Sequence, residues 1–127
     1  MSASASSTAN PAVLGTWRLL SFTAEEDGRV VRPLGETCRG QLIYTEEGCV
    51  SAQLAGTEGY IGYAGRFEWR DDQVVHRTTL ASSPQWQEKE LTRAARLDGD
   101  MLELRAAPQH GQPCLVLLWR RESAQKQ

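Results

Sequence analysis

Short runs in which apolar and polar residues alternate, separated by clusters of Gly, Asp, Pro and Ser, dominate the chain. A period of two marks strands with one buried face, and no long segment carries the 3.6-residue repeat of a helix. The alternation predicts strands near residues 16–23, 39–45, 49–54, 63–69, 74–80, 88–97, 101–106 and 115–121. About eight strands of this length suit an all-β fold, an antiparallel up-and-down β-barrel with a side-chain-lined interior. Asn10-Pro11 reads as an N-cap followed by Pro at the first helical position. It predicts a short helical turn that ends near Gly15 and plugs one end of the barrel.

Turn chemistry decides which side chains share a face, because a slip of one residue reverses every side chain. Asp98-Gly99 is a two-residue type I′ signal, which predicts Ala95 opposite Leu102 and Arg93 opposite Leu104. The inner face is then Leu91, Arg93, Ala95, Leu102 and Leu104, and the outer face holds Thr92, Ala94, Arg96, Met101, Glu103 and Arg105. The turn at Asp71-Asp72 predicts Trp69 opposite Val74, Phe67 opposite His76, Gly65 opposite Thr78 and Tyr63 opposite Leu80. His76 and Thr78 then point inward, and Arg66, Glu68, Arg70, Gln73, Val75, Arg77 and Thr79 form a solvent face. Glu46-Glu47-Gly48 fits a three-residue loop with Gly48 in the left-handed region, or a four-residue loop that would mix Tyr44 with Ser51 and Gln53. The first option has the cleaner pattern: Leu42, Tyr44, Val50, Ala52 and Leu54 inside, Cys38 inside and Cys49 outside. Residues 55–62, with three glycines, read as a flexible crossing, and residues 107–113, with His110, as a loop.

One inward position conflicts with its surroundings. Arg93 shares its face with Leu91, Ala95 and Leu97, and no Asp or Glu falls on the inner faces of the three hairpins. A cation there is costly unless something pairs with it. Arg93 is therefore either a clamp for a ligand carboxylate, enolate or phenolate, or a structural cation stacked on an aromatic such as Trp17 or bonded to backbone carbonyls. His76 is either a general acid/base near neutrality or an interior imidazole hydrogen-bonded to a Tyr or Thr. Phe67 opposite it favours the neutral ring by desolvation. Tyr44 and Tyr63 either carry protons or are core aromatics with a polar tip. With Trp86 at the mouth and Trp17 and Trp119 at the closed end, the candidate catalytic set is His76, Tyr63 and Arg93. The candidate ligand contacts are Tyr44, Phe67, Thr78, Trp86 and Leu104.

Composition narrows the function classes. The 127 residues suit one domain over residues 11–122, with disordered tails at residues 1–10 and 123–127. A net charge of -2 and the absence of any basic run give no reason to expect nucleic acid or an anionic membrane as partner. No apolar run is long enough to span a bilayer. The Ser/Ala-rich start lacks the basic and apolar regions of a signal peptide, so the expected compartment is the cytoplasm. Three cysteines without CxxC spacing and two distant histidines argue against a disulfide framework or a metal site. No Ser-His-Asp spacing, phosphate loop or dinucleotide fingerprint is present, so no cofactor is expected. Edge pairing or contact between barrel ends leaves a homodimer open.

Gly15-Thr16-Trp17-Arg18-Leu19 resembles the Gly-x-Trp opening of lipocalins, in which the Trp closes the barrel base and an Arg from the last strand covers it. The last strand here offers Leu118-Trp119-Arg120-Arg121. Further segments resemble the bacterial lipocalin-like domain family of small barrels: Asp27-Gly28-Arg29-Val30-Val31, Pro33-Leu34-Gly35, Gly40-Gln41-Leu42-Ile43-Tyr44-Thr45, Tyr63-Ala64-Gly65-Arg66-Phe67, Val75-His76, Pro84-Gln85-Trp86 and Leu97-Asp98-Gly99-Asp100-Met101-Leu102. The segment before Tyr63 is shorter than the partly helical insertion that members often carry; if that insertion is a lid, this barrel is more open or is capped by a partner. The resemblance implies a cavity for a small molecule. Some such barrels in natural-product pathways act as cyclases, isomerases or dehydratases. The expectation is thus a cofactor-free enzyme of that kind, working on a small, largely hydrophobic ligand by confinement and His/Tyr acid-base help. The alternatives are a non-catalytic binder or carrier, and a barrel filled by its own side chains.

Overall fold

A strand with one apolar face must bury it, and closing the sheet on itself does so without leaving free edges. The computed structural model describes residues 11–107 and 114–122 and shows such a closed sheet. Its strands are β1 (Gly15–Glu26), β2 (Arg29–Val31), β3 (Arg39–Tyr44), β4 (Cys49–Gly56), β5 (Gly59–Arg70), β6 (Gln73–Ala81), β7 (Glu90–Asp98), β8 (Met101–Ala106) and β9 (Cys114–Arg121). From β3 to β9 each strand pairs antiparallel with the next, and β1 closes the ring by pairing with both β3 and β9. Eight strands make the barrel, while β2 forms a hairpin with the far end of β1. The sequence pattern gave no strand there, although Asp27-Gly28 is a hairpin signal and both residues adopt positive φ.

One end of the barrel is closed. Pro11–Val13 form a 3-10 turn against it, while Asn10, the expected cap, lies outside the described residues. Trp17 is fully buried, donates its indole N–H to the Val13 carbonyl at 2.9 Å, and is covered by the Arg121 guanidinium 4.3 Å from the ring centroid. Arg121 also donates to the carbonyls of Leu14, at 3.0 Å, and Ala12. Thus Arg121, and not Arg93, is the cation on Trp17. The three turns at this end are tied to neighbouring strands by Phe67 N–H to the Gly48 carbonyl, Ala95 N–H to Asp72 and Arg121 N–H to Asp100.

The turn around Gly48 is the three-residue loop, with Gly48 at φ 94°; Tyr44 pairs with Val50 and Leu42 with Ala52, so this face points inward as the alternation requires. Two registers differ from those expected. The β7–β8 turn is Gly99-Asp100, flanked by the pair Asp98 and Met101, so Leu104 lies opposite Ala95 and not Arg93. The shift is two residues, which preserves the faces: Arg93, Ala95, Leu102 and Leu104 are all buried. A bulge at Ala64/Gly65 puts Leu80 opposite Ala64 and exposes it, while Ala81 takes the place across from Tyr63. A second bulge, between Leu19 and Ser21 on β1, switches the inward residues from Trp17 and Leu19 to Phe22 and Ala24, and leaves Leu20 exposed.

The outer face of β5 and β6 carries the ion pairs of Glu68 with Arg70 and Arg77, and of Arg77 with Glu90. These exposed pairs contribute little. Val75 is buried although it lies on this face, flanked in register by Glu68 and Thr92. Cys49 is exposed, Cys38 and Cys114 are half-buried, and all three are free thiols. No helix among the described residues is long and apolar enough to cross a membrane.

Two substitutions test this architecture. A Cβ at Gly65 would stand 1.9 Å from the Arg77 carbonyl oxygen, a contact only backbone movement can relieve. Gly65→Ala is expected to cost about 1–3 kcal/mol by overpacking, read as a lower urea midpoint with unchanged slope. Arg121→Ala is expected to cost about 1–3 kcal/mol through the lost cation–π contact and carbonyl hydrogen bonds. Arg121→Lys should recover only part of that, because an ammonium cannot stack and bridge two carbonyls as a planar guanidinium does; full recovery would show that charge alone matters.

Candidate functional site

Four strands, β3, β5, β6 and β7, bring the inward polar side chains together. Tyr44 ends β3, Tyr63 sits on β5, and His76 and Thr78 occupy β6 opposite Phe67 and Gly65. Arg93 on β7 lies opposite Val74, next along the same barrel wall. His76 is the hub. Its Nε2 is 2.7 Å from the Tyr44 hydroxyl and its Nδ1 is 2.7 Å from the Tyr63 hydroxyl, so both ring nitrogens are taken. Tyr44 packs on Phe67 with ring centroids 4.6 Å apart, and its ring and that of Tyr63 lean on His76 at 5.5 and 5.7 Å.

The electrostatics follow from burial. His76 is 1% exposed. Desolvation, aided by the positive charge of Arg93, pushes its pKa down to about 3, so the ring is neutral at ordinary pH. Burial raises the Tyr44 pKa well above the usual phenol value, and the neighbouring Tyr63 adds to the rise. Burial also raises that of Tyr63, but Arg93 opposes the rise both by its charge and as a hydrogen-bond donor. Arg93 is 8% exposed, and among the described residues the ion pairs all lie elsewhere.

Next to this cluster the barrel is hollow. The enclosed space is about 50 Å³, within about 500 Å³ of atom-free volume that includes the opening to solvent. Tyr63, His76 and Arg93 form its polar wall, and Leu42, Leu54, Phe22 and Leu117 are part of its apolar wall. Trp86 stands over it, on a 3-10 turn (Pro84–Trp86) held by Thr78, whose hydroxyl donates to the Trp86 carbonyl at 2.5 Å and accepts from Lys89 N–H at 2.8 Å.

The eight residues singled out from sequence thus separate into lining and support. Tyr63, His76, Arg93, Trp86 and Leu104 line the cavity. Tyr44 and Phe67 lie behind His76 and outside the lining, and Thr78, also outside it, fastens the Trp86 turn. Trp119, expected at the closed end, lines the cavity, and its buried indole N–H is without a partner among the described residues. Phe22 and Ile61 also line it. Phe22 escaped notice because the β1 bulge changes which parity points inward; Ile61 sits in the stretch expected to be a crossing loop, which is strand β5. His110 lies outside the described residues. Among the described residues no three His, Cys, Asp or Glu side chains cluster to hold a metal.

The crystal structure of Rv2717c from M. tuberculosis is 20% identical, over 89% of this chain and 94% of that one, with a TM-score of 0.37. No curated protein sequence matches the chain. The model of the lipocalin-like domain family matches residues 14–59 and 56–122. With the match spanning both ends of the closed eight-stranded barrel, the chain belongs to the lipocalin-like domain family.

Proposed function

We propose that the barrel binds a small, largely apolar molecule that carries an anionic or strongly hydrogen-bond-accepting head, such as a carboxylate, enolate or carbonyl. The observation that carries this is Arg93: a buried guanidinium, without a carboxylate partner among the described residues, in the wall of a largely apolar cavity. A buried cation is unfavourable until an anion or a set of acceptors meets it. The N–H of Trp119, another lining residue, has no partner among the described residues and asks for an acceptor too. The enclosed volume of about 50 Å³ favours a compact ligand, since sites for larger molecules run to roughly 300–1,000 Å³.

Of the reactions expected for such a barrel, cofactor-free cyclisation is the one this geometry supports best. Confinement supplies orientation, and Arg93 with the Tyr63 hydroxyl supports negative charge growing on a carbonyl oxygen. Isomerisation by proton abstraction needs a free base, and both His76 nitrogens are occupied by tyrosines. The same occupancy favours a second reading, a carrier that binds without turnover.

Benzoate and its neutral amide, benzamide, separate the contributions of charge and shape. Arg93→Gln is expected to weaken benzoate binding, measured by calorimetry, by about 1.5 kcal/mol or more, and to leave benzamide nearly unchanged. Wild-type protein that binds the two equally well would reject the anion clamp.

The neutral state of His76 also has a stability signature. Its folded pKa is about 3 against 6.5 for the free side chain, so the unfolded chain takes up the proton first as pH falls. The contribution is complete above pH 6.5 and is lost as pH falls toward 3, at about 1.4 kcal/mol per unit. Between pH 7 and 4.5, wild type should therefore lose about 2–3 kcal/mol more than His76→Gln in urea unfolding. Equal losses would show that His76 protonates in place.

A further inference from the structure

We infer that Tyr44 locks His76 as the tautomer protonated on Nδ1, so that Tyr63 accepts from the ring and turns its own O–H into the cavity as the donor that meets the ligand head. Because this rests on the ligand-binding proposal above, the head is further specified: its atom facing Tyr63 is an acceptor, a carbonyl oxygen or an anion, and not a hydroxyl or amine that must donate.

The inference comes from counting donors and acceptors. A neutral imidazole has one N–H and one lone pair, and a phenol has one O–H and can accept. The Tyr44 hydroxyl is buried, lies outside the cavity lining and bonds to His76 Nε2 alone among the described residues. If Nε2 carried the proton, Tyr44 would receive a hydrogen bond and its own O–H would be stranded in the core. A stranded donor is the costly outcome. With the Tyr44 O–H donated to a bare Nε2, the ring proton sits on Nδ1 and goes to the Tyr63 oxygen at 2.7 Å. The positive charge of Arg93 also acts on that hydroxyl and favours release of its proton. The Tyr63 proton then has the cavity before it, since Tyr63 is a lining residue and the hydrogen bond its hydroxyl makes among the described residues is the one it receives from His76.

The Nδ1–H donor on the Tyr63 oxygen and the nearby charge of Arg93 draw charge from it and sharpen its O–H as a donor, as happens along hydrogen-bond chains. His76 and Tyr44 therefore act through Tyr63: they are positioning residues, since both His76 ring nitrogens are turned to the tyrosines. The chain ends at Tyr44, whose buried phenol holds its proton more tightly than free tyrosine, so it polarises Tyr63 without supplying a proton.

The test is the ring-nitrogen NMR of His76 in uniformly ¹⁵N-labelled, ligand-free protein at neutral pH, using two-bond ¹H–¹⁵N correlations. The expected pattern is a protonated Nδ1 and a bare Nε2; the reverse pattern overturns the assignment. In Tyr63→Phe the Nδ1–H tautomer should persist, because Tyr44 still donates to Nε2. In Tyr44→Phe an Nε2–H would itself be a stranded donor, so Nδ1–H should persist while the bare Nε2 loses its donor and its ¹⁵N resonance moves downfield. An Nε2 resonance that stays in place in Tyr44→Phe would show that Tyr44 does not donate to it and overturns the lock. With benzoate as probe, Tyr63→Phe should weaken binding roughly tenfold, the scale of a hydrogen bond to a charged group, and Tyr44→Phe less. Tyr63→Phe without effect overturns the donor role. Benzoate failing to bind wild type while the Nδ1–H pattern is present overturns the ligand proposal and leaves the tautomer assignment supported. The Nε2–H pattern with benzoate bound does the reverse.

Discussion

Arg93 is a positive charge held inside a barrel that provides no carboxylate beside it among the described residues, and the polar interior is organised around that charge. A second cation nearby would be repelled, which adds to the desolvation that keeps His76 neutral. The polar groups close to it are then hydroxyls and a neutral ring, able to hydrogen-bond without adding charge. The other outlet for a barrel arginine, stacking on the base tryptophan, is already filled by Arg121. Arg93 is left facing the cavity, and the proposed preference for acceptors rests on that geometry.

Hydrogen-bond supply carries the effect from one strand to the next. Tyr44, His76 and Tyr63 form a row across β3, β6 and β5, with each hydroxyl 2.7 Å from a ring nitrogen. The apolar packing around the row, including Phe67 against Tyr44, excludes water that could relieve a mismatch. Each member must satisfy its neighbour, and the direction of the whole row follows from its most enclosed end. Thr78 performs a comparable task at the mouth, where its hydroxyl is consumed by the backbone of the Trp86 turn.

The β-bulges show where alternation is a sound guide and where it stops. On β7 and β8 the inward set Arg93, Ala95, Leu102 and Leu104 could be read from the sequence although the register was displaced by two residues, because a shift of two keeps parity. On β1 and β6 a bulge of one residue reverses parity, so Phe22 turns in, Leu20 turns out, and Leu80 yields its expected place to Ala81. A bulge is set by how a strand fits its neighbours on both sides of a closing barrel. That is non-local information, and the alternating pattern of one strand does not contain it. The short β2 escaped for the opposite reason: three exposed residues carry almost no alternation, and only the Asp27-Gly28 turn marks them.

By itself the sequence determined the all-β class, the eight barrel strands, the loop at Gly48 and the presence of Tyr44, Tyr63, His76 and Arg93 on inward faces. These follow from period-two patterning and turn chemistry, which act over a few residues. Tertiary structure alone decided which of the inward groups meet. It gave both His76 nitrogens to tyrosines, put Arg121 on Trp17, set Tyr44, Phe67 and Thr78 outside the cavity lining, and brought Trp119 to the cavity wall. The physical reason is that facing inward is a property of one strand, whereas distance across a barrel depends on closure, stagger and bulges of all the strands together.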